Sequence, residues 1–119
     1  MRAERAIAEG DLARAVADYV TVVNAQPDNA AAWYRLGAVY LRQRKAELAQ
    51  TAFEEALRGD PRLSKANANL AISLLLQFRD AAARAIASKD VPESNREALQ
   101  ALLRDVDRTL ALPGPAGVR

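Results

Sequence analysis

Residues 30–61 read AAAWYRLGAVYLRQRKAELAQTAFEEALRGDP, and this stretch decides the fold. Apolar residues recur at spacings of three and four on both sides of the polar segment Gln43-Arg44-Lys45. That period places them on one face of each of two helices joined by a short turn. The first of these helices is expected over about 29–42, with Asp28 as its N-cap and with Trp33, Leu36, Gly37 and Tyr40 on one face. The second is expected over about 46–58. It buries Leu48, Ala49, Ala52, Phe53, Ala56 and Leu57, and Gly59 supplies a left-handed position after its last turn.

The same pattern extends in both directions. Upstream, a short helix is expected over 2–9, and Gly10-Asp11 breaks it and starts another over about 12–25. The core face of the latter is Leu12, Ala15, Val16, Tyr19, Val22 and Val23, and Pro27 ends it because proline lacks the amide donor. Downstream, Asp60 and Pro61 open a fifth helix carrying Leu63, Ala66, Leu70, Ala71 and Leu74. Ile72, Leu75 and Leu76 widen its stripe beyond what one neighbour needs. A short alanine-rich sixth helix is expected over 81–88. A seventh follows over 94–111, opened by a Ser94/Glu97 capping box, with Leu99, Leu102, Leu103, Val106 and Leu110 inward. The closing PGPAGVR is read as a disordered tail (112–119) on a single helical domain of residues 1–111.

Composition narrows the chemistry. The chain has 119 residues, half of them hydrophobic, which suits one core without staples. It has no Cys and no His, so disulfides, thiolate nucleophiles, imidazole bases and Cys- or His-based metal sites are excluded. Adjacent Glu54 and Glu55 diverge on a helix, as do Asp105 and Asp107, so neither pair serves acid–base work across a cleft. The expectation is a non-enzyme with no cofactor and no metal.

Seventeen Lys and Arg against fifteen Asp and Glu give a net charge of +2, with the signs interspersed rather than gathered on one basic face. Nucleic acid is therefore not an expected partner. The densest basic group is Arg42, Arg44 and Lys45, with Arg35 two helical turns before Arg42. It reads either as a solvated face or as a contact for an acidic partner. No stretch approaches the roughly 18 apolar residues of a membrane span, and the first ten residues lack a signal-peptide core. The default expectation is a cytoplasmic protein with no membrane insertion.

Shifted by 34 residues, the sequence aligns with itself. Ala15 falls on Ala49 and Ala83, Tyr19 on Phe53, Pro27 on Pro61, Leu36 on Leu70, Gly37 on Ala71 and Tyr40 on Leu74. Trp33, Leu36-Gly37, Tyr40, Ala49, Phe53, Ala56 and Pro61 have the spacing of the tetratricopeptide repeat, W-x₂-L-G-x₂-Y followed by A-x₃-F and P. The chain resembles that family over about residues 2–91, sharply in 30–61. The following unit departs from the pattern, with Asn67 in place of the tryptophan, Ala87 where Phe53 stood and Asp90 where Ala56 stood.

The resemblance implies an all-α fold of antiparallel helix pairs stacked as a short right-handed superhelix, with a C-terminal capping helix. It also implies an adaptor or scaffold that binds a protein or peptide partner in the concave groove. That groove would be lined by Tyr34, Arg35, Ala38, Leu41 and Arg42, then by Lys65, Ala68, Asn69, Ile72, Leu75 and Leu76. An apolar floor with positive charge beside it would suit a peptide with apolar and acidic side chains. The other reading of this floor is that the last helix covers it. Some family members clamp a chaperone's C-terminal carboxylate with paired Lys and Asn; Tyr34 and Ala38 stand at those positions here, which disfavours that role. The alternative function is self-association into a homo-oligomer.

Overall fold

Two residues with positive φ mark where the chain folds back on itself. Gly10 (φ 80°) and Arg44 (φ 65°) lie 34 residues apart and each follows the first helix of a pair. In the computed structural model, which describes residues 2–8 and 10–111, the helices are α1 (Arg2–Ala8), α2 (Leu12–Ala25), α3 (Ala30–Arg42), α4 (Ala46–Gly59), α5 (Ser64–Ala87) and α6 (Glu93–Ala111). The tail expected over 112–119 lies outside the described residues.

At Arg44 the turn is closed by two backbone bonds. Lys45 N–H donates to Tyr40 O at 2.9 Å and Arg44 N–H to Leu41 O at 2.9 Å. These are the six-to-one and five-to-two bonds of the Schellman motif, which needs a left-handed residue just past the helix end. Gly10 makes the corresponding bond to Ile7 O at 2.9 Å.

The third unit behaves differently. The position equivalent to Gly10 and Arg44 is Phe78. A bulky aromatic resists left-handed φ, and Gln77-Phe78-Arg79-Asp80 contains neither Gly nor Pro. The helix runs straight through, so the expected fifth and sixth helices are one 24-residue helix. The second helix that should fold back over Ala71, Leu74 and Ala83 does not form, and all three are exposed, Leu74 to 47%. They were expected in the repeat core and do not belong to it.

Four helix ends also differ from expectation. Asn29, not Asp28, caps α3, its Oδ1 accepting from Ala32 N–H at 3.0 Å. Asp60 does not cap α5: its carboxylate takes Arg62 N–H at 3.1 Å in a local turn, so the helix starts three residues after Pro61. Gly59 is the last residue of α4 and has no positive φ; a Cβ there would lie 3.1 Å from Asp28 O and 3.3 Å from Ala30 Cβ, so its smallness lets α4 abut the start of α3. The Ser94/Glu97 capping box is absent. The first turn of α6 closes on Pro92 O, which accepts from Arg96 N–H at 3.0 Å, and this leaves Ser94 inside the helix.

The described residues up to Leu74 and those from Leu75 onward form two compact units. In the first, antiparallel helix pairs stack through two apolar clusters. One joins Ala3, Ala15, Tyr19, Val23, Ala32, Leu36, Val39 and Ala52. The other joins Ala49, Phe53, Ala56 and Ala66, with Tyr40, Leu57, Leu63 and Leu70 packed on it. Half-buried Trp33 touches both clusters, and its indole N–H donates to Pro27 O at 2.8 Å, tying the α2–α3 turn to the core.

In the second unit the C-terminal part of α5 pairs with α6. Arg79 Nε lies 3.0 Å from Asp107 Oδ1. The Arg96 guanidinium donates to Ile86 O at 2.8 Å, to Ser88 O at 3.1 and 3.3 Å and to Val91 O at 3.2 Å. It therefore supplies donors to carbonyls that a helix end leaves unpaired.

Candidate functional site

Alternate faces of α3 do different work because a helix turns about 100° per residue. Leu36 and Val39 point into the core, whereas Arg35, Ala38 and Arg42, at spacings of three and four, form a stripe on another face. Beside that stripe the first unit holds a pocket of about 270 Å³. Tyr34, Arg35, Ala38, Val39 and Arg42 of α3 form one wall, Glu4 and Ile7 of α1 the other, and Tyr19 of α2 contributes from between them.

Charge at this pocket is unevenly satisfied. Arg35 Nη1 lies 3.3 Å from Glu4 Oε2, and both side chains are about half exposed. Arg42 has no ion-pair partner among the described residues. The Tyr19 side chain is buried, at 1% exposure, yet its hydroxyl finds no acceptor for its proton. Burial raises the pKa of that hydroxyl; the Arg35 guanidinium beside it pulls it back, by its charge and as a donor to the phenol oxygen, and Glu4 adds to the rise.

Tyr34 is the hinge between this pocket and α5. Its ring packs tilted on Phe53, with centroids 5.8 Å apart. Lys65 Nζ sits 5.0 Å from the ring centroid, a cation–π distance. Asn69 Nδ2 donates to the Tyr34 hydroxyl at 3.4 Å. Behind it, fully buried Ser73 donates to Asn69 O at 2.9 Å.

Of the expected groove residues, Tyr34, Arg35, Ala38 and Arg42 line one pocket. Lys65 and Asn69 come together on Tyr34 instead. Leu41 packs against the Phe53 cluster, so it is a core residue more than a floor residue. Ala68 is exposed and Ile72 is 38% exposed on α5. Leu75 and Leu76 belong to the second unit and are half-buried there.

Sequence reasoning missed Glu4, Ile7, Val39 and the orphan hydroxyl of Tyr19. The signal for two of them was present. The 34-residue shift that relates the units places Glu4 on Ala38 and Ile7 on Leu41. Carrying the groove back to the first helix would have found them.

Among the described residues there is no group of three or more Asp or Glu side chains placed to hold a metal ion. No described helix is long and apolar enough to cross a membrane.

Short helices paired antiparallel, turned at a fixed interval and packed through small residues define a helical-repeat protein. The tetratricopeptide repeat family matches residues 1–62 of the 119, and the chain belongs to that family. No curated protein matches it.

Proposed function

We propose that the chain is a non-catalytic adaptor that holds a segment of a partner polypeptide along the exposed stripe of α3. In this reading residues 30–61 form the sharpest repeat, more degenerate units flank it, and the helix pairs of the first unit begin a right-handed superhelix whose hollow faces the partner. No cofactor takes part. The observation that carries the reading is the pocket between α1 and α3, where apolar walls from Ile7, Ala38 and Val39 meet two guanidinium groups. A pocket with an apolar body and a few polar groups at its edge suits an anchoring side chain.

Panning a random peptide display library against the full chain tests it. Enriched peptides should lose binding to an Ala38→Arg variant, which fills the pocket from a half-buried position between exposed Arg35 and Arg42. Peptides that bind this folded variant as well as the parent would overturn the groove.

Self-association is a second reading, favoured by the 51% exposure of Leu102 on α6. Sedimentation over a concentration series decides it: growth in mass that a Leu102→Glu change abolishes supports it, and a monomer throughout rejects it.

A further inference from the structure

Resting on the groove reading, we propose that the pocket recognises side-chain carboxylates of an extended, acidic partner segment, and that Glu4 is an internal stand-in which the partner displaces from Arg35. Three observations meet at this one place.

The first is the unequal state of the two arginines. Arg35 is engaged by Glu4 at 3.3 Å, across the pocket from α3 to α1. Both side chains are about half exposed, so solvent and salt weaken the pair and an incoming carboxylate can replace it at little loss. Arg42 lines the same pocket with no ion-pair partner among the described residues. A guanidinium offers a planar fork of donors that matches a carboxylate on two bonds.

The second is Tyr19. A side chain at 1% exposure ordinarily has its hydroxyl paired, because a buried donor left without an acceptor is costly. Here Tyr19 lines the pocket, and its hydroxyl, with the Arg35 guanidinium beside it, has no acceptor for its proton. A ligand oxygen entering beside Arg35 would accept from it. A carboxylate can accept from both groups and brings no proton of its own to compete.

The third is spacing. Arg35 and Arg42 are seven residues apart on α3, which is about 10 Å along the axis. Three residues of chain in the extended polyproline II conformation span about 9 Å, and its three-residue turn brings every third side chain onto the same face. Acidic residues at every third position would therefore present a carboxylate to each arginine, and Ile7, Ala38 and Val39 would receive the apolar parts between them.

The test uses the full chain and a fluorescein-labelled, end-blocked peptide of three Glu-Val-Thr repeats. Its comparators are the Gln-Val-Thr counterpart, that counterpart with a free carboxy-terminus, and an oligouridylate of equal charge. The glutamate peptide should bind about tenfold more tightly than the glutamine peptide, as expected when charge-assisted bonds replace neutral ones. Arg42→Gln should weaken it about five- to tenfold and Tyr19→Phe roughly threefold, with helical content unchanged by circular dichroism. Glu4→Gln should tighten it roughly two- to fivefold, because it frees Arg35 from a weak surface pair.

Equal binding of the glutamate and glutamine peptides, both lost in Ala38→Arg, would overturn the carboxylate proposal and leave the groove standing. A Glu4→Gln variant that is folded and does not bind the glutamate peptide more tightly overturns the displacement. Tighter binding of the oligouridylate, or of the glutamine peptide with a free carboxy-terminus, overturns the assignment to side-chain carboxylates of a polypeptide.

Discussion

Gly37 and the ring of Phe53 stand closer than any side chain at position 37 would permit. A Cβ there would lie 2.6 Å from Phe53 Cε1 and 2.8 Å from both Cδ1 and Cζ. Phe53 is fully buried, so its ring has no solvent side to retreat to. Gly37→Ala should therefore destabilise the fold by about 1–3 kcal/mol through overpacking, although alanine favours helix over glycine by up to about 1 kcal/mol. Urea unfolding followed by circular dichroism measures it. A neutral or stabilising result would mean that α3 and α4 do not nest through this contact. Phe53→Ala relieves the same contact but removes the ring, and should cost roughly 3–5 kcal/mol.

The left-handed turn residue controls where pairs form. Arg44 holds φ 65°, a conformation that an L side chain adopts at a penalty of about 1–2 kcal/mol and glycine adopts freely. Glycine loses more entropy on folding, so Arg44→Gly should stabilise the chain by a net of about 0.5–1 kcal/mol. A raised urea midpoint is the expected readout, and a lowered one would show that the arginine side chain contributes more than the backbone gains. At the equivalent Phe78 the same substitution has the opposite consequence, because there glycine weakens a continuous helix. Phe78→Gly should speed amide exchange over residues 77–82 while leaving α3 and α4 protected.

Buried Tyr19 makes stability depend on alkaline pH. Its pKa is raised, chiefly by burial, so the folded protein holds the phenolic proton more tightly than the unfolded chain. The contribution is complete below the unfolded value near 10 and is lost as pH rises through the folded one. Unfolding free energy should thus fall more steeply above about pH 10 in the parent than in Tyr19→Phe. Identical slopes in parallel denaturant titrations would refute the assignment.

How much of this was legible beforehand follows from what each residue type signals. Helices α2, α3 and α4 could be read almost to the residue because Gly10-Asp11, Pro27 and the polar Gln43-Arg44-Lys45 turn interrupt the apolar period. The fusion of α5 could not be read from side-chain matches. Ala83 aligns well with Ala15 and Ala49, yet the fold-back depends on the φ available to Phe78, which the alignment of apolar residues does not weigh. The α3 half of the pocket was legible from the repeat's geometry. The α1 residues were carried by the same 34-residue shift, but their ion pair with α3 was not, because it follows from tertiary closure of the first unit: Glu4 meets Arg35 across 31 residues of sequence.

Arg96 was also invisible as a structural residue, since nothing in its neighbourhood distinguishes it from a solvated arginine. Its guanidinium nevertheless reaches the carbonyls of Ile86, Ser88 and Val91, all within 3.3 Å, and its side chain is only 21% exposed. These carbonyls lie at and beyond the end of α5, where the helix offers them no amide partner. Lysine at this position would carry the charge on a single ammonium and lacks the planar fork that spans several acceptors. Arg96→Lys should therefore cost about 1–2 kcal/mol, and Arg96→Met about 1–3 kcal/mol with the carbonyls left unpaired. The loss should be local. Amides of residues 85–96 should exchange faster in both variants, while the first unit keeps its protection. If Arg96→Met leaves exchange over the α5–α6 connection unchanged, the guanidinium is not what holds that turn, and its bonds to the three carbonyls contribute nothing measurable.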